Sequence, residues 1–192
     1  MKSLSLVGWL PVLAVAFVLA SCNDPRQPIM TKEQKAKVGK HLLASANPQH
    51  KLGARFDNKL ELVGVDLSSQ RLNVGQRLQI TYYWKCLGKI NGDWKIFVHW
   101  DMRGRIGDDH YPIGGLFRFN RCQPGKIVRD IRSMVASRRL GNGGVSRVYV
   151  GVYNPKILDP SGRMRLTNPR PGWTLNRVIA ATITVGRGVT RP

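Results

Sequence analysis

Leu78-Gln79-Ile80-Thr81-Tyr82-Tyr83-Trp84-Lys85 decides the fold class. Leu78, Ile80, Tyr82 and Trp84 alternate with Gln79, Thr81, Tyr83 and Lys85, the period of two expected of a strand with one buried face. Working outward, Ile96, Val98 and Trp100 share one face of a second run, opposite Phe97, His99 and Asp101. Leu60 and Leu62 open an earlier strand, and 127–134, 145–153 and 176–185 supply further runs rich in β-branched residues. Turn signals punctuate them, among them Asn91-Gly92-Asp93, Gly114-Gly115, Pro124-Gly125, Gly141–Gly144 and Asp159-Pro160-Ser161-Gly162. About six to eight short strands without crossover helices predict an all-β chain, an antiparallel immunoglobulin-like β-sandwich over residues 51–187, with 188–192 as a tail.

Upstream the pattern is different. Thr31-Lys32-Glu33-Gln34 fits a capping box, and helix-forming residues follow to about Ala46. Lys32, Lys35, Lys37 and Lys40 make this short helix basic, with Val38, Leu42 and Leu43 as a weak apolar face. It is expected either to be solvated or to lie against the domain or anionic headgroups. Before it, 23–30 carry Pro25 and Pro28 among polar residues, as a tether does.

The first 21 residues read as an address. Lys2 precedes an apolar run from Leu4 to Ala20 that ends in small residues, the pattern of a secretory signal. Leu19-Ala20-Ser21-Cys22 resembles the lipobox of bacterial lipoproteins. That resemblance implies cleavage before Cys22, a lipid on its thiol, and residues 22–50 as a lipidated tether and helix. An uncleaved membrane helix is the alternative. The resemblance also implies anchoring in the cell envelope, and Asn23, rather than the Asp that retains enterobacterial lipoproteins in the inner membrane, points to the outer membrane. Cys86 and Cys122 are then an even pair in an oxidising compartment, which suggests a disulfide rather than two buried thiols. Such a bridge would close a loop of roughly 37 residues and stabilise by about 4 kcal/mol on the chain-entropy view.

Composition narrows the function classes without naming one. The 192 residues carry 31 Lys+Arg against 11 Asp+Glu, a net charge of +20, and are 42% hydrophobic. That apolar share can build a core, which excludes a disordered polycation. Twenty Gly and eleven Pro argue against a helical bundle or coiled coil, and no fixed repeat suggests a solenoid. From 131 to 192 there are ten Arg and one Lys against one acid, Asp159. Guanidinium forks recognise carboxylates and phosphates, so Arg138, Arg139, Arg163, Arg165 and Arg170 are anion-binding candidates, against the alternative of solvated surface charge. Trp173 near Arg170 could stack on a sugar or base, or simply plug the core.

Chemistry of other kinds is poorly supported. His99, Asp101, Asp108, Asp109, His110 and Asp130 form the single cluster able to do acid–base or metal chemistry, with His99, Asp109 and His110 as weak metal candidates. No H-E-x-x-H, Ca²⁺-loop or G-x-S-x-G pattern is present, and 141–144 lacks the Lys-Ser/Thr of a phosphate loop. These acids are expected to cap turns or pair with arginines. No cofactor and no enzymatic activity are expected.

Several pieces together resemble a β-sandwich domain of bacterial envelope proteins, found in lipoproteins and appended to membrane glycosyltransferase-like proteins. They are Leu78–Trp84, Trp94–Asp101, Asp109–Gly115, Pro124–Asp130, Val148–Tyr153 and Asn176-Arg177. Cys122 stands where that pattern tends to carry Trp before Pro-Gly, which supports a disulfide in place of aromatic packing. The resemblance implies a fold and an envelope location, with no catalytic residue to carry over. The expected role is a non-catalytic binding or assembly component of a secretion, motility or polysaccharide-export machine, with envelope proteins as partners. The alternatives are a module for anionic glycan, lipopolysaccharide or DNA, and, further off, a metal-dependent enzyme.

Overall fold

The computed structural model describes residues 29–141, 143–157 and 159–187. The signal sequence, Cys22, most of the tether and the tail after 187 lie outside the described residues.

The Thr31 capping box forms: Gln34 N–H donates to the Thr31 hydroxyl at 3.3 Å, and Thr31 N–H donates to Gln34 Oε1 at 2.9 Å. The helix it starts, α1 (Lys32–His41), stops short of the expected Ala46. Leu42 and Leu43 leave it to form a two-residue strand, β1 (Leu42–Leu43), paired with Val128 and Ile127. Sheet hydrogen bonds and burial beside these residues outweigh the small gain of another helical turn. Val38 is the buried side chain of α1, and the lysines stay exposed. The helix end is tied to β8 by His41 Nδ1, 2.7 Å from Arg129 O, and by Arg129 Nη2 donating to Lys40 O at 3.2 Å.

Nine further strands follow: β2 (His50–Phe56), β3 (Leu60–Leu67), β4 (Arg71–Asn73), β5 (Arg77–Cys86), β6 (Lys95–Asp101), β7 (Arg105–Gly107), β8 (Ile127–Val135), β9 (Gly144–Tyr153) and β10 (Val178–Gly186). They make two five-stranded sheets, in the orders β1-β8-β5-β3-β2 and β4-β10-β9-β6-β7. The alternation read in β5 holds, since Leu78, Ile80, Tyr82, Trp84 and Cys86 are all fully buried. Trp84 lies between Phe56 and Phe119, with ring centroids 5.9 and 5.8 Å away. In the other sheet Trp100 Nε1 donates to the Ser146 hydroxyl at 2.8 Å, which in turn donates to Ile183 O at 2.7 Å, so that indole is satisfied in the core. Cys86 and Cys122 are bridged, with Cα atoms 6.1 Å apart, tying the end of β5 to the loop before β8.

Beyond the helix end, the structure departs from the sequence expectation in three places. The first sheet takes in β1 and β2, upstream of Leu60, because each supplies too few alternating apolar residues to stand out. The pairing is not antiparallel throughout: β4 runs parallel to β10, with Arg71 opposite Thr184. β4 is a three-residue excursion between β3 and β5 that crosses to the second sheet and meets β10 running its own way. Third, β7 is a three-residue hairpin return on β6 and was not separable from a loop by pattern.

Irregular chain covers parts of β2 and of β6. Asn168 Nδ2 donates to Gly53 O at 2.8 Å and its Oδ1 accepts from Arg55 N at 2.7 Å, while Asp57 N donates to Arg165 O at 2.8 Å. On β6, Ile96 and His110 exchange both backbone bonds at 2.9 Å. These segments spend the backbone groups through which a partner strand would otherwise add.

Candidate functional site

The residues from Asp108 to His110 distribute the acid–base groups between two places, by the strand rule that neighbours point to opposite faces. Asp108 and His110 turn toward β8. His110 Nε2 lies 2.7 Å from the fully buried Asp130 carboxylate, and its Nδ1 lies 2.8 Å from Asp108 O. The second Asp130 oxygen accepts from Ile113 N at 2.8 Å. Arg132 grips Asp108 with two bonds, 2.8 and 2.6 Å. Burial alone would raise the Asp108 pKa, but the Arg132 bonds and the neighbouring positive charges hold it below the usual value. This seam joins β8 of the first sheet to the strap beside β6 of the second. Every ring nitrogen of His110 is engaged and the residue is buried, so it has no route to a substrate.

Asp109 faces the other way, onto the outer face of the second sheet, where its charge acts on His99, Tyr153 and Arg163. His99, Asp109 and His110 therefore do not converge. Among the described residues no three His, Cys, Asp or Glu side chains gather as a metal site.

The strand register builds that outer face. Phe97 stands opposite Gly151, His99 opposite Tyr149 and Asp101 opposite Arg147. Gly151 leaves room for the Phe97 ring; a Cβ there would run into that ring and come within 2.8 Å of Asn176 O. The strand after the 160–162 turn pairs with the end of β9, with Met164 N donating to Val152 O at 2.9 Å, and brings Arg163 beside Tyr153. Its guanidinium stacks 4.8 Å from the Phe97 centroid and donates from Nη1 to Leu175 O at 2.9 Å. Leu175 and Asn176, both with φ near +55° (54° and 57°), form the tight turn that swings Arg177 back over Tyr149, 4.1 Å from its centroid. Asp101 accepts from Arg105 Nε and Nη2, at 2.7 and 2.8 Å, with Arg177 Nη1 further off at 3.7 Å.

Charge on this face is uneven. Burial, then the neighbouring Arg177 and Arg105, lower the Arg163 pKa, the mark of crowded cations. Burial and then Arg105 likewise lower the His99 pKa. His99 Nδ1 and Arg177 Nε are buried without a partner among the described residues.

The five arginines singled out in the sequence do not make one patch. Arg163 is on the outer face just described. Arg165 exchanges backbone bonds with Asp57 at the β2–β3 turn. Arg170 stacks on Trp173 at 5.2 Å and lines a shallow cleft of about 380 Å³ with Lys51, Gly53 and Glu61. Arg138 and Arg139 lie in a 3₁₀ turn against the β6–β7 hairpin. A larger cleft, about 650 Å³, lies between 49–52 and 179–182 and contains none of the arginines. Sequence reading missed Arg105, Arg177 and Tyr149 as site residues. Asn176-Arg177 was visible as a motif, and Arg105 sits in the Arg103–Gly107 loop, yet nothing local says that both reach Asp101.

Neither a family model nor a curated protein matches the chain. Among solved structures it is similar to a Pseudomonas fluorescens alkylpurine DNA glycosylase, AlkC, bound to DNA containing an abasic site analog, at 11% identity and TM-score 0.42 over 67% of this chain and 30% of that one. It is also similar to a β-glucosidase from Listeria innocua in complex with glucose, at 15% identity and TM-score 0.36 over 71% of this chain and 16% of that one. The chain spans less than a third of the length of either protein. Likeness of this depth says nothing of what this chain binds.

Proposed function

We propose that the protein is a lipid-anchored component of the bacterial cell envelope whose sandwich, read as immunoglobulin-like, binds a partner and performs no chemistry. The observation that carries the binding half is the contrast within the histidine–carboxylate cluster. Groups that could relay protons are locked in the seam between sheets, whereas the cations on the outer face keep unspent donors. Where irregular chain covers β2 and β6, recognition through side chains is favoured over strand addition. The lipobox-like Leu19–Cys22 and the Cys86–Cys122 bridge support export and anchoring, with the outer membrane as the destination. Envelope proteins of a secretion, motility or polysaccharide-export machine are the expected partners.

Two experiments test this. Growth with an alkyne fatty acid should label the full-length protein and leave Cys22→Ala unlabelled; labelling of neither removes the anchor. A detergent pull-down of the tagged chain should retain discrete proteins through a high-salt wash. Recovery of anionic polymer alone, lost in salt, would instead favour the second reading, a module for acidic glycan, lipopolysaccharide or DNA. The stacked arginines of the second sheet are the observation that favours it.

A further inference from the structure

We infer that the outer face of the second sheet is a binding site for the carboxylate of an acidic sugar, held between Arg163 and Arg177. This deepens the reading of the sandwich as a binding module and is independent of the lipid anchor.

Phe97 and Tyr149 stand on adjacent strands, one step apart in register, so the guanidinium groups stacked on them overhang neighbouring points of one surface. Stacking fixes each plane on an aromatic face and leaves its N–H edges directed away, the presentation that meets a planar carboxylate. Arg163 spends Nη1 on Leu175 O, and Arg177 makes one long contact to Asp101 while its Nε lies buried and unpaired. Neither is neutralised as Arg105 is, by a two-bond grip on Asp101. Arg105 is matched by Asp101, so the face keeps the positive charge of Arg163 and Arg177, with Arg147 and Lys95 at its margins, against the exposed carboxylate of Asp109.

The acceptors beside the cations decide the class of ligand. The exposed Asp109 carboxylate accepts hydrogen bonds beside these cations, and Tyr153 adds a hydroxyl next to it. Sugar hydroxyls provide donors next to the carboxylate. A DNA backbone carries no hydroxyl donors, and the side chains of polyglutamate place none beside their carboxylates.

The test is a calorimetric titration of the full-length chain in detergent micelles with oligogalacturonate, its methyl ester, single-stranded DNA and polyglutamate. Oligogalacturonate should bind, the uncharged ester should not, and the two other polyanions should bind more weakly. Arg163→Gln and Arg177→Gln should each weaken oligogalacturonate by about tenfold or more, while an Arg138→Gln/Arg139→Gln double variant should keep wild-type affinity. If Arg177→Gln unfolds, seen as loss of the near-ultraviolet dichroism, Arg163→Gln decides alone. Wild-type affinity in Arg163→Gln, equal loss in the 138/139 variant, or equally tight DNA or polyglutamate overturns the assignment. No binding of oligogalacturonate together with a salt-resistant protein partner overturns the site and leaves the broader reading standing. Binding by the chain without any envelope partner or lipid does the reverse.

Discussion

Two charged regions, the seam between the sheets and the outer face of the second sheet, use nearly the same residue types to opposite ends. The seam sets His110, Asp108, Asp130 and Arg132 against one another until both carboxylates are matched. The outer face sets His99, Asp101, Asp109 and three arginines side by side and gives neither Arg163 nor Arg177 a two-bond carboxylate partner. Desolvation explains the difference. A charge in the interior must be compensated within the fold, while one at a partly wet surface can keep capacity for a partner. What separates structural from functional charge here is the state of satisfaction of each group, and residue identity alone does not tell.

The comparison breaks most severely if the seam is opened. Asp130→Ala strips the acceptor from His110 and from Ile113 N, and should lower unfolding free energy by about 3–5 kcal/mol in urea denaturation. A loss below about 1 kcal/mol would mean that the seam is not a matched buried network. Gly151→Ala targets the outer face instead. Its methyl would collide with Phe97 and should cost about 1–3 kcal/mol of overpacking, with loss of the Arg163 stacking surface.

Acid should also distinguish the regions. The folded Asp108 pKa lies below its usual value, so the folded chain binds this proton less readily than the unfolded chain. Its contribution is complete above the ordinary carboxylate pKa and is lost as pH falls through the depressed one. Arg132→Gln should therefore flatten the fall in urea midpoint on the acid side of about pH 4. The smallest effect is expected at Arg105, whose half-exposed side chain pairs with a more shielded Asp101. Arg105→Gln should change stability by less than about 1 kcal/mol, yet raise the His99 titration midpoint followed by ring-proton NMR, because it removes a positive charge and frees Asp101. An unmoved midpoint would show that burial alone sets the His99 pKa.

Much of the scaffold was legible because its signals are local. Alternation marked β5, β6, β8, β9 and β10 to within a few residues, and the Thr31–Gln34 box marked the helix start. The helix end escaped because what stops it is β8, 85 or more residues further on (Leu42 meets Val128). The disulfide could be argued from an even pair of cysteines, and its partners sit where a bridge can close. The candidate site was only half legible. Arg163 was named, whereas Arg105 and Arg177 looked like any other basic residue.

By itself the sequence determined the sheet-forming runs, the capped helix, the excess of cations and the absence of familiar catalytic motifs. All of these depend on neighbours within a few positions. Only tertiary structure decided that Asp109 and His110, adjacent in the chain, belong to different regions, and that arginines at 105, 163 and 177 share one face. Those outcomes follow from register between strands distant in sequence and from which face each sheet buries. Both are set by packing of the whole sandwich, so no local pattern encodes them.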